Sequence, residues 1–214
     1  FDGIKNVIGC FSYAEKTFIS PAFLKTLPER QLNSGFTEIL KIALVTDKLF
    51  WKKLGPLKPA DVEQKPELIK KAVALKNKIV DDDPTEKNIR KKLNFGHTIG
   101  HAVESFPLIH DKKNLLHGEA IAIGMICEAW ISKKKNLLSG SELDEIIYKL
   151  LRFTRKYKLT NEKKELLKLM RNDKKNTSRN INFTLLNGIG DAGIDHYIDE
   201  KLISESLMFY NNLI

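Results

Sequence analysis

Between residues 86 and 101 the sequence spaces several chemically active side chains at helical intervals. The steps of four, three and four positions separate Arg90, Asn94, His97 and His101. On a helix with about 100° per residue these positions fall within an arc of about 60°. Glu86 lies a further turn back on the same side. A carboxylate, a guanidinium, an amide and two imidazoles suit neither a solvent face nor a core face. We therefore predict a functional stripe on this helix.

The two histidines of the stripe suggest a metal site. His97 and His101 lie four residues apart, as paired imidazoles do in helical zinc sites. A catalytic zinc ion usually has three protein ligands and leaves one position open for water or substrate. From the residues alone, the candidates for the third ligand are His117, Glu119 and Glu38.

Glu38 has two possible roles from its surroundings. Lys41 follows it by three residues, so the two side chains can form a surface ion pair worth about 0.2–0.5 kcal/mol. The small and apolar residues just before it, 34–37, favour a buried position instead. Both interpretations stay open at this point.

Glycines and alanines predict close packing of two helices around these residues. Gly96 and Gly100 each cost about 1 kcal/mol in helix propensity relative to alanine, so we expect another backbone or a ligand to approach them. The helix that begins at His117 carries further small residues, which are Gly118, Ala120, Ala122 and Gly124.

The elements that must position these residues are predicted to be mostly helical, from apolar periodicity and from Pro and Gly breaks. Thr85 is expected to cap the stripe helix, and Phe106-Pro107 to end it. The predicted helices span 22–27, 33–54, 61–79, 85–105, 117–135, 139–157, 162–171 and 199–212. Short strands are predicted within 4–20 and over 182–186.

Composition limits the classes of function. The chain has 214 residues and a net charge of +9, but only six of its 36 basic residues are Arg. Sequence-specific nucleic-acid sites depend on Arg, so no nucleic-acid partner is expected. Two cysteines, Cys10 and Cys127, are too few for a disulfide framework and favour a reducing, cytoplasmic location. The sequence has neither a secretory leader nor an apolar run of about 18–20 residues, so no membrane partner is expected.

Two segments resemble the signature of the 3-dehydroquinate synthase family. They are residues 94–104, Asn-Phe-Gly-His-Thr-Ile-Gly-His-Ala-Val-Glu, and residues 115–125, Leu-Leu-His-Gly-Glu-Ala-Ile-Ala-Ile-Gly-Met. Residues 3–11, 23–30 and 35–41 resemble preceding segments of that family, in order. The resemblance implies a mainly α fold, the multi-helix C-terminal domain of the dehydroquinate synthase-like fold, with minor strand at the N-terminus and near 181–186. It also implies a helical domain over 21–214, with 1–20 a remnant of the interdomain region.

The resemblance also implies roles for individual residues. The metal ligands would be Glu38, His97 and His117, which makes His101 a catalytic residue instead of a ligand. The remaining implied catalytic residues are Lys41, Glu86, Arg90 and Asn94. The implied substrate-binding residues are Asn6, Lys76, Lys174 and Lys175.

The implied reaction eliminates phosphate from 3-deoxy-D-arabino-heptulosonate 7-phosphate and cyclises it to 3-dehydroquinate in the shikimate pathway. The reaction uses Zn²⁺ or Co²⁺ together with NAD. The resemblance thus implies a lyase that takes a small phosphorylated keto-acid and forms a homodimer. The sequence has no GxGxxG nucleotide loop. We therefore expect the NAD-binding domain to be absent, and this chain to be truncated and inactive alone.

Two other functions remain open from the sequence. One is a different metal enzyme of the same wider fold, either another sugar-phosphate cyclase or a glycerol-dehydrogenase-like enzyme. The combination of Arg90, Asn94 and His101 suits an acidic phosphorylated ligand better than a neutral polyol. The other is a non-catalytic helical fragment.

Overall fold

The structure, a computed structural model, describes residues 12, 14–109, 114–159, 163–171 and 180–214. A 3-10 helix over Pro21–Thr26 precedes α1 (Glu29–Thr46), α2 (Lys48–Leu54), α3 (Asp61–Gln64) and α4 (Pro66–Asp82). A second 3-10 helix over Ile89–Asn94 leads into α5 (His97–Ile109), α6 (His117–Lys134), α7 (Gly140–Leu151) and α8 (Lys163–Arg171). The chain continues with β1 (Ile181–Leu186), β2 (Ala192–Ile198) and α9 (Glu200–Leu213). The mainly α fold class is confirmed.

Helix α6 is the centre of the core. Every residue from Gly118 to Ser132 is buried, as expected for a helix whose sequence is apolar on all sides. Helices α1, α5, α7 and α9 and strand β1 all pack against it. The first residue of α6, His117, therefore enters the site from the most enclosed element of the domain.

Backbone contact between α5 and α6 confirms the prediction from small residues. A Cβ built on Gly124 would lie 2.0 Å from the carbonyl oxygen of Gly96, and one on Gly100 would lie 3.1 Å from the Cα of Ile121. No side chain fits at such distances. The glycines thus serve helix packing, which brings His97 and His117 to neighbouring positions.

Two predicted helices are divided in the structure. The helix predicted over 33–54 breaks at Asp47, whose extended backbone lets its side chain accept the N–H of Phe50 and cap α2. The helix predicted over 61–79 divides at Lys65, just before Pro66. Pro66 favours a first helical position and disfavours a helical residue before it.

The single helix predicted over 85–105 is wrong. Residues 84–88 form turns, Ile89–Asn94 form the 3-10 helix, and α5 begins only at His97. Gly96 has a φ of +80°, which interrupts a right-handed helix. The predicted stop at Phe106-Pro107 is also wrong, since α5 continues to Ile109 with Pro107 inside it.

The C-terminal part contains an antiparallel hairpin. Strand β1 confirms the strand predicted near 182–186, and it pairs with β2 from Ile181↔Ile198 to Leu186↔Ala192. The sequence analysis missed β2, because Gly193 and Asp195 have low strand propensity. The turn between them uses Gly188 and Gly190 at φ of +82° and +100°.

The remaining predictions concern the bounds of α7, the strand near the N-terminus and the absence of membrane spans. Ser139 caps the start of α7, but α7 ends at Leu151 instead of near 157. The strand expected within 4–20 falls mostly on residues outside the described ranges, and the described residues 14–20 contain no strand. None of the described helices has both the length and the apolar character of a membrane span.

Candidate functional site

A cleft of about 570 Å³ opens between α1, α4, the second 3-10 helix, α5 and the start of α6. This volume lies in the range of small-molecule sites. Its polar lining residues are Glu38, Lys41, Lys76, Glu86, Arg90, Asn94, His97, His101 and His117. The cleft therefore gathers every described residue to which the family resemblance assigns a site role, whereas Glu119, the other candidate ligand, binds Arg30 instead.

Three of these residues form a candidate metal centre. One ligand atom each from Glu38, His97 and His117 lies within 4.8 Å of the other two. Glu38 Oε1 is buried, accepts no hydrogen bond from the described residues, and lies 3.6 Å from His117 Nε2. A carboxylate and two imidazoles form a donor set typical of catalytic zinc. The residues present therefore fit a divalent cation.

Both imidazoles are oriented through Nδ1. His97 Nδ1 lies 3.1 Å from the carbonyl oxygen of Phe95, which can only accept, so Nδ1 carries the hydrogen and Nε2 keeps its lone pair. His117 Nδ1 lies 3.0 Å from Glu104 Oε2. Such partners on the outer ring nitrogen are usual for metal-binding histidines.

Lys41 is buried beside this cluster. Its Nζ donates to Glu38 Oε2 at 2.8 Å and lies 3.4 Å from His97 Nε2. Each of the two interpretations left open for Glu38 holds in part, since the ion pair with Lys41 forms and Lys41 is only 4% exposed, while Glu38 is partly exposed. The ammonium supplies the positive charge that Glu38 requires in the cation-free chain.

The pKa values of the cluster follow from burial and from this lysine. Burial acts to raise the pKa of Glu38, but the charge and hydrogen bond of Lys41 and the two nearby histidines together outweigh it, so the net shift is downward. Burial lowers the pKa of Lys41 despite the attraction of Glu38. Burial first, and the Lys41 charge second, lower the pKa of His97 to about 3. His97 is therefore a neutral imidazole, the form that binds metals, at neutral pH.

His101 faces the same cleft but belongs to a different grouping. Its ring centroid lies 5.0 Å from that of His97 and 6.0 Å from that of His117. A second set of potential ligand atoms, within 4.8 Å of one another, comes from His101, Glu104 and His117. Helical spacing alone suggested a metal site built on His97 and His101. In the structure, Glu38 instead forms a group with His97 and His117.

The other stripe residues reach the cleft from the turns that contain Glu86 and from the second 3-10 helix, which carries Arg90 and Asn94. Asp83 accepts the backbone N–H groups of Lys87, Asn88 and Arg90, and so holds these turns in place. Asn94 Nδ2 donates to Glu86 Oε1 at 2.6 Å. The predicted convergence of Glu86, Arg90 and Asn94 with the histidines is confirmed, although the helix proposed to cause it is absent.

The predicted substrate contacts are only partly described. Lys76 lies exposed on α4 at the edge of the cleft. Asn6, Lys174 and Lys175 lie outside the described residues, and their roles stay predictions.

Sequence reasoning missed three buried carboxylates that support the site. They are Asp83, Glu104 and Glu128. Glu128 is fully buried on α6 and accepts the N–H groups of Gly96 and Ile99, which stabilises the start of α5. Burial raises its pKa to about 8, against the opposing effect of these donors. The available signal was a carboxylate inside an otherwise apolar helix, which needs buried partners.

Comparison with known proteins gives consistent relatives. The sequence model of the family described as "3-dehydroquinate synthase C-terminal" matches residues 35–176. A 3-dehydroquinate synthase from Parabacteroides distasonis is 35% identical over 213 residues, covering 98% of this chain and 60% of that protein. One from Streptococcus pyogenes is 36% identical, covering 95% of this chain and 59% of that protein. The chain thus spans about 60% of the length of these relatives.

Solved structures share the fold. The 2-epi-5-epi-valiolone synthase ValA from Streptomyces hygroscopicus subsp. jinggangensis, with NAD⁺ and Zn²⁺ bound, superposes with a TM-score of 0.86 at 26% identity. The superposition covers 100% of this chain and 60% of the ValA chain. A 2-deoxy-scyllo-inosose synthase complexed with carbaglucose-6-phosphate, NAD⁺ and Co²⁺ gives 0.78 at 23% identity, covering 97% and 59%. The second likeness supports the fold alone.

Proposed function

The chain belongs to the 3-dehydroquinate synthase family, in the part that forms the C-terminal domain, and from this we propose that it is the metal- and substrate-binding part of such an enzyme. The whole enzyme would convert 3-deoxy-D-arabino-heptulosonate 7-phosphate to 3-dehydroquinate as a carbon–oxygen lyase. Residues 21–214 would form the helical domain, with 1–20 leading into it. A cytoplasmic location and a homodimer stay predictions.

One observation carries the proposal. Glu38, His97 and His117 converge within 4.8 Å in a cleft that also holds Lys41, Lys76 and Arg90. A cation site next to several positive side chains suits a ligand that is itself anionic, and not a neutral one.

Glu38, His97 and His117 would hold Zn²⁺ or Co²⁺. A bound divalent cation would polarise a substrate oxygen and stabilise negative charge developing on it. The burial that keeps His97 neutral leaves its Nε2 available for this binding. Asn6, Lys76, Lys174 and Lys175 are the proposed substrate-binding residues, of which Lys76 lines the described cleft.

The charged side chains of the cleft would orient the substrate. Arg90 offers a planar fork for a carboxylate or phosphate, while Lys41 offers a compact charge. Arg90 is anchored at the cleft by its Nη1, which donates to the carbonyl of Pro84 at 2.6 Å. The hydrogen bond between Glu86 and Asn94 joins two further polar side chains of the cleft.

His101 would transfer protons within the cleft, since an imidazole nitrogen can either donate or accept a proton. With NAD⁺ bound, transient oxidation of a substrate hydroxyl would acidify the neighbouring C–H. No GxGxxG loop occurs in the sequence, so we assign none of its residues to NAD⁺. We therefore expect no turnover by the 214-residue chain alone.

Metal binding is the first test. The purified chain should retain about one Zn²⁺ or Co²⁺ per molecule after gel filtration, because three protein ligands are in place. Glu38→Ala and His117→Ala should each abolish retention. Absence of metal from the folded wild-type chain would refute the metal centre. The exposed surface variant Lys164→Ala should retain metal like wild type.

Substrate binding is the second test. Titration calorimetry of the zinc-loaded chain should show binding of 3-deoxy-D-arabino-heptulosonate 7-phosphate and none of glycerol. Arg90→Lys keeps the charge but loses the fork, so it should weaken binding by about tenfold. Lys164→Ala should leave it unchanged. Preference for the neutral polyol would contradict the proposal and favour a glycerol-dehydrogenase-like enzyme, and failure to bind either ligand would favour a non-catalytic fragment.

A second candidate is a different sugar-phosphate cyclase, because the superposition on ValA reaches a TM-score of 0.86. The combination of Arg90 and Asn94 argues for 3-dehydroquinate synthase, since related cyclases tend to differ there. Tighter binding of a sugar phosphate that lacks a carboxylate than of the keto-acid phosphate would favour this alternative.

A further inference from the structure

We propose that Glu104 is a positioning residue, which fixes the His117 imidazole in the tautomer that leaves Nε2 unprotonated and able to bind a cation. This inference rests on the cation site proposed above. It assigns a function to a buried carboxylate that no step of the proposed reaction uses.

Two carboxylates lie at opposite edges of the same imidazole. Glu104 Oε2 is 3.0 Å from His117 Nδ1, and Glu38 Oε1 is 3.6 Å from His117 Nε2. A neutral imidazole carries one ring hydrogen, so only one of the two carboxylates can receive it. The carboxylate that receives this hydrogen determines whether the other nitrogen is a ligand or a donor.

The environment favours Glu104 as the acceptor. Its distance is within hydrogen-bonding range, whereas 3.6 Å is not. Glu104 is only 6% exposed, so solvent competes little for its oxygens. Glu38 instead accepts the ammonium of Lys41 through Oε2. The ring hydrogen therefore resides on Nδ1 of His117.

A second observation agrees with this placement. Glu38 Oε1 is buried and accepts no hydrogen bond in the described part of the chain, although His117 Nε2 faces it. With the hydrogen on Nδ1, an oxygen and a nitrogen lone pair face each other across 3.6 Å. A cation between the two would relieve this repulsion.

His97 achieves the same tautomer by another route. Its Nδ1 is held by the carbonyl of Phe95, which no substitution removes. His117 depends on the side chain of Glu104, one turn after His101 on α5. Without that carboxylate, the hydrogen of His117 can move to Nε2 and be donated to Glu38, which would close the site with an internal hydrogen bond.

The experiment compares Glu104→Gln and Glu104→Ala in the 214-residue chain. Nitrogen-15 NMR of the metal-free protein should show the Nδ1–H tautomer of His117 in wild type and largely the Nε2–H tautomer in Glu104→Ala. Competition with a chelator should show Zn²⁺ affinity about 100-fold lower for Glu104→Ala and about 10-fold lower for Glu104→Gln, whose amide oxygen still accepts a hydrogen bond. The Co²⁺ absorption spectrum should change in Glu104→Ala and be restored in Glu104→Gln.

Glu119→Gln is the matched control. Glu119 is also buried, at the start of α6, but it binds Arg30 instead of a histidine. This variant should lose stability without a change in Zn²⁺ affinity or tautomer. If both Glu104 variants bind Zn²⁺ like wild type, or if the tautomer is unchanged in Glu104→Ala, the inference is wrong. If wild type itself binds no Zn²⁺, the proposed function fails, while the tautomer measurement still tests Glu104.

Discussion

Two regions of this molecule bury a lysine, and they treat its charge differently. In the cleft, Lys41 lies between Glu38 and His97. At the packing of α2 against α7, Lys149 donates to the carbonyl of Trp51 and lies 3.8 Å above its ring. Burial lowers the pKa of both lysines, to about 8 for Lys149.

The regions differ in what is left unsatisfied. Around Lys149, the Trp51 ring N–H donates to Glu145, so the polar groups there satisfy one another. Around Lys41, Glu38 Oε1 accepts no hydrogen bond in the described part of the chain. His117 Nε2 lies 3.6 Å from this oxygen, and His97 Nε2 lies 3.4 Å from Lys41 Nζ. A buried charge with a shifted pKa therefore does not by itself indicate function. Convergent groups that still require a partner do.

The largest expected effect comes from Gly124→Ala, which disturbs the helix contact that holds the cleft and leaves the contacts of Lys149 in place. In Gly124→Ala the new Cβ would lie 2.0 Å from the Gly96 carbonyl, so α5 and α6 must separate. We expect a loss of about 3 kcal/mol in the free energy of unfolding, measured in urea, together with weakened Zn²⁺ binding.

Gly35→Ala is the control for that variant. Gly35 lies inside α1, and beyond its own stretch of helix backbone no atom of the described residues lies within 4 Å of its added Cβ. It should gain about 0.5–1 kcal/mol from helix propensity. Equal effects of the two alanines would show that the close contact of α5 and α6 does not hold the site.

Removal of the cleft lysine charge should be the next largest effect. Lys41→Met leaves Glu38 without its compensating charge, which should destabilise the metal-free chain by about 2 kcal/mol, less than for a fully buried pair because Glu38 is partly exposed. Thermal unfolding with and without Zn²⁺ should show that the metal stabilises this variant more than wild type. An equal metal effect in both proteins would contradict the view that Lys41 supplies the charge in the cation-free chain.

Lys149→Met should lower stability without any effect on metal binding. It removes the donor to the Trp51 carbonyl and the contact with the ring, which should cost about 1–2 kcal/mol in urea unfolding. Zn²⁺ affinity should stay at the wild-type value. A drop in metal affinity would mean that the two regions are coupled.

The pH dependence gives the smallest and most specific effect. The pKa of Lys149 is lowered to about 8 from an ordinary 10.5, so between these values the folded chain binds fewer protons than the unfolded chain. Stability from this group is therefore lowest below pH 8 and rises as pH increases toward 10.5. Urea unfolding at pH 8, 9 and 10 should show a smaller upward slope for Lys149→Met than for wild type.

The sequence predicted the residues of the cleft better than the backbone that carries them. The resemblance pointed to Glu38, His97 and His117, and the structure brings these three together. Helical spacing placed Arg90 and Asn94 on the same face of one α-helix, but in the structure both lie on a 3-10 helix that follows turns held by Asp83. The conformation of such turns depends on which backbone groups a carboxylate binds. Hydrophobic periodicity gives no information about those hydrogen bonds.

The carboxylates that support the histidines could not be predicted for a related reason. Glu104 and Glu128 act across the contact between α5 and α6, over 13 and 32 positions of sequence. Their partners become neighbours only once the glycines allow the two helices to touch. Local patterns predicted that contact but not which polar groups it joins.

The burial of α6 from Gly118 to Ser132 has a consequence for hydrogen exchange. Amides from Gly118 to Ser132 have no solvent-facing side of the helix from which to open locally, so they should exchange only through global unfolding. A ligand that binds only the folded state raises that opening energy, by about 2.7 kcal/mol at a concentration 100 times its dissociation constant. Zn²⁺ bound at His117, the first residue of α6, should therefore slow deuterium uptake along the whole buried stretch of the helix, as far as Ser132.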